Sequence, residues 1–322
     1  MKKIAKVVTA LITASALVMS LTACGASDKV SAAGTSSGEG ADTASSAGIV
    51  EDTAFSTEVM QDETEMTEND PTEIQVFIAA SLNNVMQEVA AKYNEKNPDV
   101  KIVFNADSSG TLLAQIEEGY ACDVFFSAAQ KQMNILQDDD GLVVDGTRHN
   151  VVNNQVCVIK RSDTETAVTG LSDISKASSI ALADGSVPVG KYTREAMVNA
   201  GILPENEDVS KISTKEVSDA LGGVEISEQS NVSKVLAAVV EGSCEVGTTY
   251  YSDTYGYEKD IEIIEKVPYE LTGDVIYPVA QIKNDEADDA EVKAARDFVD
   301  FIVSDEAKEI FDKYYFDTDV EK

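Results

Sequence analysis

The feature that most constrains the fold is a short apolar run that stops at small residues and restarts as a helix. In I-Q-V-F-I-A-A-S-L-N-N (74–84), Val76, Phe77 and Ile78 read as a buried strand. Ala79 and Ala80 end it, and Leu82, Val85, Met86, Val89 and Tyr93 then recur at helical spacing. Ser81, between strand and helix, is the expected N-cap. The first turn of a helix leaves backbone N–H groups without partners, and the helix dipole places partial positive charge there. A strand feeding a helix through small residues is therefore a receptor for an oxyanion.

The device recurs. V-K-I-V-F (100–104) leads through N-A-D-S-S-G-T into L-L-A-Q-I-E-E-G, where Ser108 and Ser109 either cap the helix or offer Ser109 to a ligand. A strand at 180–183 leads through D-G-S-V-P-V-G into K-Y-T-R-E-A-M, with N–H groups near Val189 and Gly190 and Tyr192 in the first turn. Asn231 is placed to cap V-S-K-V-L-A-A-V-V-E-G, whose first residues are Val232 and Ser233. Further strands are expected at 123–127, 156–160, 211–214, 246–251, 261–267 and 275–280, with helices at 130–137 and over the C-terminal stretch. Leu171 and Ile174 read as a surface helical turn, and Asp138, Asp139, Asp140 and Gly141 as a solvated acidic turn without EF-hand spacing. Strands alternating with helices predict a parallel-rich α/β fold, with ligands beyond the carboxyl ends of the strands. In a chain of two lobes the four turns converge on one cleft.

Composition narrows the function. The formal net charge of −33 opposes nucleic acid and anionic lipid surfaces. Any anion must then be held by local dipoles. The single histidine, His149, reads as part of a polar loop. It leaves histidine metal sites and serine–histidine catalysis poorly supported, and no G-x-S-x-G elbow stands between a strand and a helix in residues 72–322. A secreted hydrolase using Ser81 or Ser109, and an adhesion module on a stalk, are the competing classes.

Lys2, Lys3 and Lys6 precede an apolar segment at 7–21 that ends in L-T-A-C. That tetrapeptide resembles the bacterial lipobox, which implies a signal peptide over 1–23 and lipid on Cys24, whose acyl chains anchor the protein to the cell membrane. Residues 24–71 are rich in Ser, Ala and Gly and then acidic, a composition that predicts a flexible, self-repelling tether. Cys122, Cys157 and Cys244 are expected to be small apolar fillers, with a Cys122–Cys244 bridge as the alternative.

The pieces V-F-I-A-A-S-L, S-S-G-T-L-L-A-Q-I-E-E-G, D-V-F-F-S-A, V-P-V-G-K-Y-T-R-E-A, Y-Y-S-D (250–253) and I-F-D-K-Y-Y-F together resemble the molybdate-binding proteins of ABC importers, over nearly all of 73–322. The resemblance implies a two-lobe periplasmic-binding-protein clamp with two crossover strands. Lobe one would span 72–153 and 273–322, and lobe two 154–272. It implies a monomer that needs no cofactor and no cation ligands and delivers molybdate or tungstate to a membrane permease. The oxyanion would be held by the Ser81 and Ser109 hydroxyls, the Tyr250 hydroxyl, and backbone N–H groups at Ser81, Ser109, Val189 and Val232. The same fold binding sulfate or another oxyanion is the alternative. Three places depart from the family pattern. The long approach G-G-V-E-I-S-E-Q-S makes Val217 an alternative to Val232, Thr248 and Thr249 replace a more apolar pair, and Tyr315 stands where glycine is common. Asp107, beside the second turn, is expected to face solvent.

Overall fold

The computed structural model describes residues 71–320. The expected export signal, Cys24 and the tether up to residue 70 lie outside the described residues.

Strand β1 (Thr72–Ala79) runs through Ala80–Leu82, a single 3-10 turn, into helix α1 (Asn83–Asn94). Strand β2 (Val100–Asp107) leads into α2 (Ser109–Glu117), and β3 (Val124–Phe126) into α3 (Gln130–Asn134), which widens into a π turn over Ile135–Asp139. Strand β1 lies parallel between β2 and β3, with Val76 opposite Phe104 on one side and Val124 on the other. Both faces of this sheet are covered, which is why β1 and β3 read as unbroken apolar runs. Ile74, Val76, Ile78 and Phe126 pack in one core, while Phe77 and Phe125 pack with Leu112, Ile116 and Met133 in another.

The chain leaves this sheet by β4 (His149–Asn154) and enters a second sheet by β5 (Val156–Arg161), with Gln155 alone between them. There follow β6 (Ser179–Ala183), α4 (Pro188–Asn199), α5 (Thr214–Ala220), β7 (Glu225–Gln229), α6 (Val232–Val240), β8 (Val246–Tyr250) and β9 (Ile261–Lys266). The return passes through the one-turn helix α7 (Tyr269–Thr272) into β10 (Val275–Gln281), and α8 (Asp289–Ile302) and α9 (Asp305–Lys313) close the chain. The two sheets have orders β2-β1-β3-β10-β4 and β7-β6-β8-β5-β9. Strand β10 is antiparallel to β3 and β4, and β5 to β8 and β9. The result is a two-lobe mixed α/β fold with two crossovers.

Several local expectations are corrected. His149 opens β4 instead of sitting in a loop; the strand H-N-V-V-N-N is polar in sequence because its buried Asn153 and Asn154 bond to neighbouring chain instead of packing. Residues 211–214 form no strand. Val209–Lys211 is a 3-10 turn, and Ser213 with Glu216 makes a capping box that starts α5. The strand beside β6 is instead β7, a half-exposed edge whose charged residues hid it. Leu171 and Ile174 are buried, so their turn is anchored in the core. Asp138 and Asp139 belong to the π turn, not to a separate acidic turn. Cys122, Cys157 and Cys244 are all buried free thiols, so the alternative bridge does not form.

Tyr315 adopts φ 66°, the left-handed region that glycine tolerates best. Such a conformation costs of the order of 1–3 kcal/mol for a residue with a side chain. Its ring stacks on Tyr251 of the second lobe, with centroids 4.7 Å apart and planes 8° from parallel, a contact that offsets this cost and that glycine could not make.

Candidate functional site

The carboxyl ends of β1, β2, β6 and β8 and the helices near them meet at a small cavity. Ser81, Ser109, Val189, Val232 and Tyr250 all line it, as do small residues such as Ala79 and Ala128. The cavity is small, leaving no room for a sugar or peptide. None of the described lining residues is charged.

Each wall element is built differently. Ser81 lies in the 3-10 turn before α1 and does not cap that helix, contrary to its expected role. The extra turn moves the helix start to Asn83, and the Ser81 hydroxyl instead meets the Tyr277 hydroxyl at 2.9 Å. In the second turn the two serines divide the work. Ser108 caps α2, accepting from Thr111 N–H at 3.1 Å, while Ser109 Oγ accepts from Ala128 N–H at 2.9 Å. Val189 is the second residue of α4, behind Pro188, which is suited to a first helical position because it has no N–H to leave unpaired. Gly190 lets this helix start sit hard against β6, since a Cβ there would come 2.1 Å from Asp184 O. Val232 opens α6 under the Asn231 cap, whose side chain accepts from Lys234 N–H at 3.0 Å. As first-turn residues of their helices, Ser109, Val189 and Val232 carry N–H groups with no acceptor inside the helix. Val217, the alternative to Val232, is buried inside α5 and does not line the cavity.

Tyr250 ends β8 and is buried, yet its hydroxyl has no hydrogen-bond partner among the described residues. The Tyr277 ring stands edge-on to it with centroids 5.9 Å apart, but the Tyr277 hydroxyl is engaged by Ser81 and Asn154 instead. Burial holds the Tyr250 hydroxyl far above its usual pKa, so it stays protonated and can donate. Behind it, half-buried Asp253 accepts from Tyr250 N–H and the Thr249 hydroxyl, both at 3.1 Å. Burial nevertheless pushes the Asp253 carboxyl up to about 7.

The lobes are shut over the cavity. Asp107 does not simply face solvent: it is half-buried, accepts from Ser108 N–H at 2.7 Å, and reaches Asn231 Nδ2 of the second lobe at 3.1 Å. Lys131 spans the lobes to Asp208 at 3.8 Å and Ser210 at 3.4 Å. A Cβ on Gly110 would lie 3.3 Å from Ser186 O across the closure.

Three residues of this region carried no local signal in the sequence. Tyr277 and Asn154 support Ser81 from behind. Arg194, fully buried, donates to the carbonyls of Ile212, Ala183 and Gly190 at 2.7–2.9 Å and so fixes the turn before α4. None of the three cavity serines meets a base among the described residues: Ser81 meets a tyrosine, Ser108 the Thr111 hydroxyl and N–H, and Ser109 a backbone amide. Among the described residues no cluster of His, Cys, Asp or Glu is arranged to hold a metal ion.

The fold and this cleft define a clamp for a small solute, and the chain belongs to the bacterial extracellular solute-binding proteins, matched over residues 74–317. It is 30% identical over 254 residues to the molybdate-binding protein ModA of Haemophilus influenzae, covering 76% of this chain and 89% of that one. Among solved structures, the Azotobacter vinelandii periplasmic molybdate-binding protein aligns over 76% of this chain and 98% of its own, with TM-score 0.60 and 19% identity. The sulfate-binding protein SubI of Mycobacterium tuberculosis aligns over 77% and 88%, with TM-score 0.61 and 15% identity. These two structures share the fold. The chain is thus an extracytoplasmic solute-binding protein of an ABC transporter, a carrier for transport and not an enzyme.

Proposed function

We propose that this protein captures molybdate, and tungstate with it, and presents the dianion to an ABC importer from a lipid anchor on Cys24. The observation that carries the reading is the buried Tyr250 hydroxyl, unpartnered among the described residues in a cavity whose described lining bears no charge. A buried donor left unmet costs about 1–3 kcal/mol, and an oxyanion oxygen would supply the missing acceptor. Ser109 already accepts from Ala128 N–H, so its own proton is free for a ligand. Helix starts add N–H donors.

A fully deprotonated oxyanion accepts from every donor and has no proton to place. Hydrogen phosphate carries one, and no carboxylate stands among the described residues of the cavity wall to receive it. The 30% identical molybdate-binding relative supports the same ligand. Sulfate is also a dianion without a proton, so cavity size has to separate it from molybdate, whereas tungstate is nearly molybdate's size.

Calorimetric titration of the chain lacking residues 1–24 with molybdate, tungstate, sulfate and phosphate tests this. One-to-one binding of the first two, with little heat from the others, is expected. Preferred binding of sulfate would keep the clamp and replace the ligand. Absence of any oxyanion binding would overturn the reading. Loss of fatty-acid labelling in Cys24→Ser tests the anchor separately.

A further inference from the structure

Behind Ser81 runs a buried hydrogen-bond chain that joins the cavity to the crossover between the lobes. Asn154 is the last residue of β4, one residue before the chain enters the second lobe. Its Nδ2 donates to Ser252 Oγ at 2.8 Å and to Tyr277 Oη at 3.0 Å. Its Oδ1 accepts from Gln155 N–H at 2.9 Å, which fixes which way the amide faces. Tyr277 is fully buried, and its strand shifts register between Tyr277 and Pro278. Pro278 has no N–H for the ladder, and such irregularities re-aim side chains.

The direction of each proton follows by elimination. Tyr277 Oη has two partners, Asn154 Nδ2 and Ser81 Oγ. An amide nitrogen can only donate, so of these two partners only Ser81 Oγ can accept the phenol proton. Ser81 therefore accepts from Tyr277, and its own proton is left for the cavity. Ser109 reaches the same polarity through Ala128 N–H.

We propose that Asn154 and Tyr277 are positioning residues that hold Ser81 as an obligate donor, so that the crossover strand itself sets the site's preference for unprotonated over protonated oxyanions. This rests on the oxyanion reading above. Asn154→Asp is isosteric and replaces the donor with an acceptor. The Tyr277 proton then turns to the introduced carboxylate, and the Ser81 proton turns to Tyr277 and away from the ligand. Tyr277→Phe removes the relay without reversing it.

The test is calorimetric titration with sodium molybdate and inorganic phosphate at pH 8, for both variants with and without Ser81→Ala, after thermal melts confirm folding. Asn154→Asp is expected to weaken molybdate binding about tenfold more with Ser81 present than in the Ser81→Ala background, because that difference removes the effect of the added charge. Tyr277→Phe is expected to cost less, roughly three- to tenfold, to cost nothing further in the Ser81→Ala background, and to narrow the molybdate-over-phosphate ratio. Equal losses in both backgrounds, or no loss from either variant, would overturn the relay while leaving the oxyanion reading intact. Should Tyr277→Phe fail to fold, the Asn154→Asp pair decides alone. A wild-type protein that binds neither ion would overturn both readings.

Discussion

The two halves of the cavity wall reach the same end by different chemistry. The first lobe offers side chains, the hydroxyls of Ser81 and Ser109, and each is already held by a protein partner. The second lobe offers main chain at Val189 and Val232, where the side chains are aliphatic, and one tyrosine hydroxyl without a hydrogen-bond partner among the described residues. Each hydroxyl of the first half is therefore held in place before a ligand arrives, with its own proton left for the cavity. The second carries an unmet donor that only a ligand can relieve, so Tyr250 should show the largest difference between ligand-free and ligand-bound protein.

Tyr250→Phe tests that contrast most directly. Losing a hydrogen bond to a charged ligand costs about 1.5–3 kcal/mol, so affinity for molybdate should fall roughly 10- to 100-fold. The ligand-free protein should melt no lower than wild type, because an unsatisfied buried group has been removed. A fall in both affinity and ligand-free melting temperature would mean that Tyr250 is a packing residue of the second lobe.

Main-chain donation is tested next, at Val232. Proline is tolerated as the first residue of a helix, and Asn231 before it is already extended at φ −159° and ψ 171°. Val232→Pro should therefore fold, lose one N–H and bind molybdate about tenfold more weakly. Val232→Ala keeps the N–H and should change affinity by less than about threefold. Equal losses from the two would assign the contact to the valine side chain.

The pH dependence of stability isolates the support behind Tyr250. Burial raises the Asp253 carboxyl from its ordinary 3.8 to about 7, so the folded state favours the protonated acid. That contribution is fully present below pH 3.8 and is lost as pH rises through about 7. The neutral amide of Asp253→Asn would keep an oxygen for Tyr250 N–H and the Thr249 hydroxyl. Melting followed from pH 5 to pH 8 should thus show a decline in wild type that is shallower in Asp253→Asn. Parallel curves would place the carboxylate in an environment that leaves it ionised.

The smallest effect is expected where the lobes meet at the surface. Lys131 to Asp208 is a long, solvent-screened pair, worth at most about 1 kcal/mol. Lys131→Ala should weaken molybdate binding by no more than about fivefold, and less at high salt. A larger loss would give this contact a share in closure comparable to the cavity donors.

Much of the frame was legible in residue order, because burial on both faces of a sheet leaves an unbroken apolar run. Phe77 and Phe125 follow and precede residues of the opposite core, and that alternation of faces needs hydrophobicity at every position. Strands without that pattern were not legible. Strand β4 hides behind asparagines that bond to neighbouring chain, and β7 behind the charges of an exposed edge. The turns announced themselves through small residues and caps, yet Ser81 and Ser109 looked alike in sequence and proved different. One extra 3-10 turn separates a serine bonded to a tyrosine from one bonded to an amide.

What the sequence by itself determined is what local rules control: where apolar runs form strands, where helices begin, and which short turns expose N–H groups. Backbone geometry and side-chain capping act over a few residues, so neighbours in the chain suffice to specify them. The tertiary structure alone decided which hydroxyl is left without a partner and which way each proton points. Those properties depend on Tyr277 meeting Ser81 across 196 positions of sequence and Asn154 across 123, contacts that exist only once the chain has returned from the second lobe and laid β10 into the first sheet.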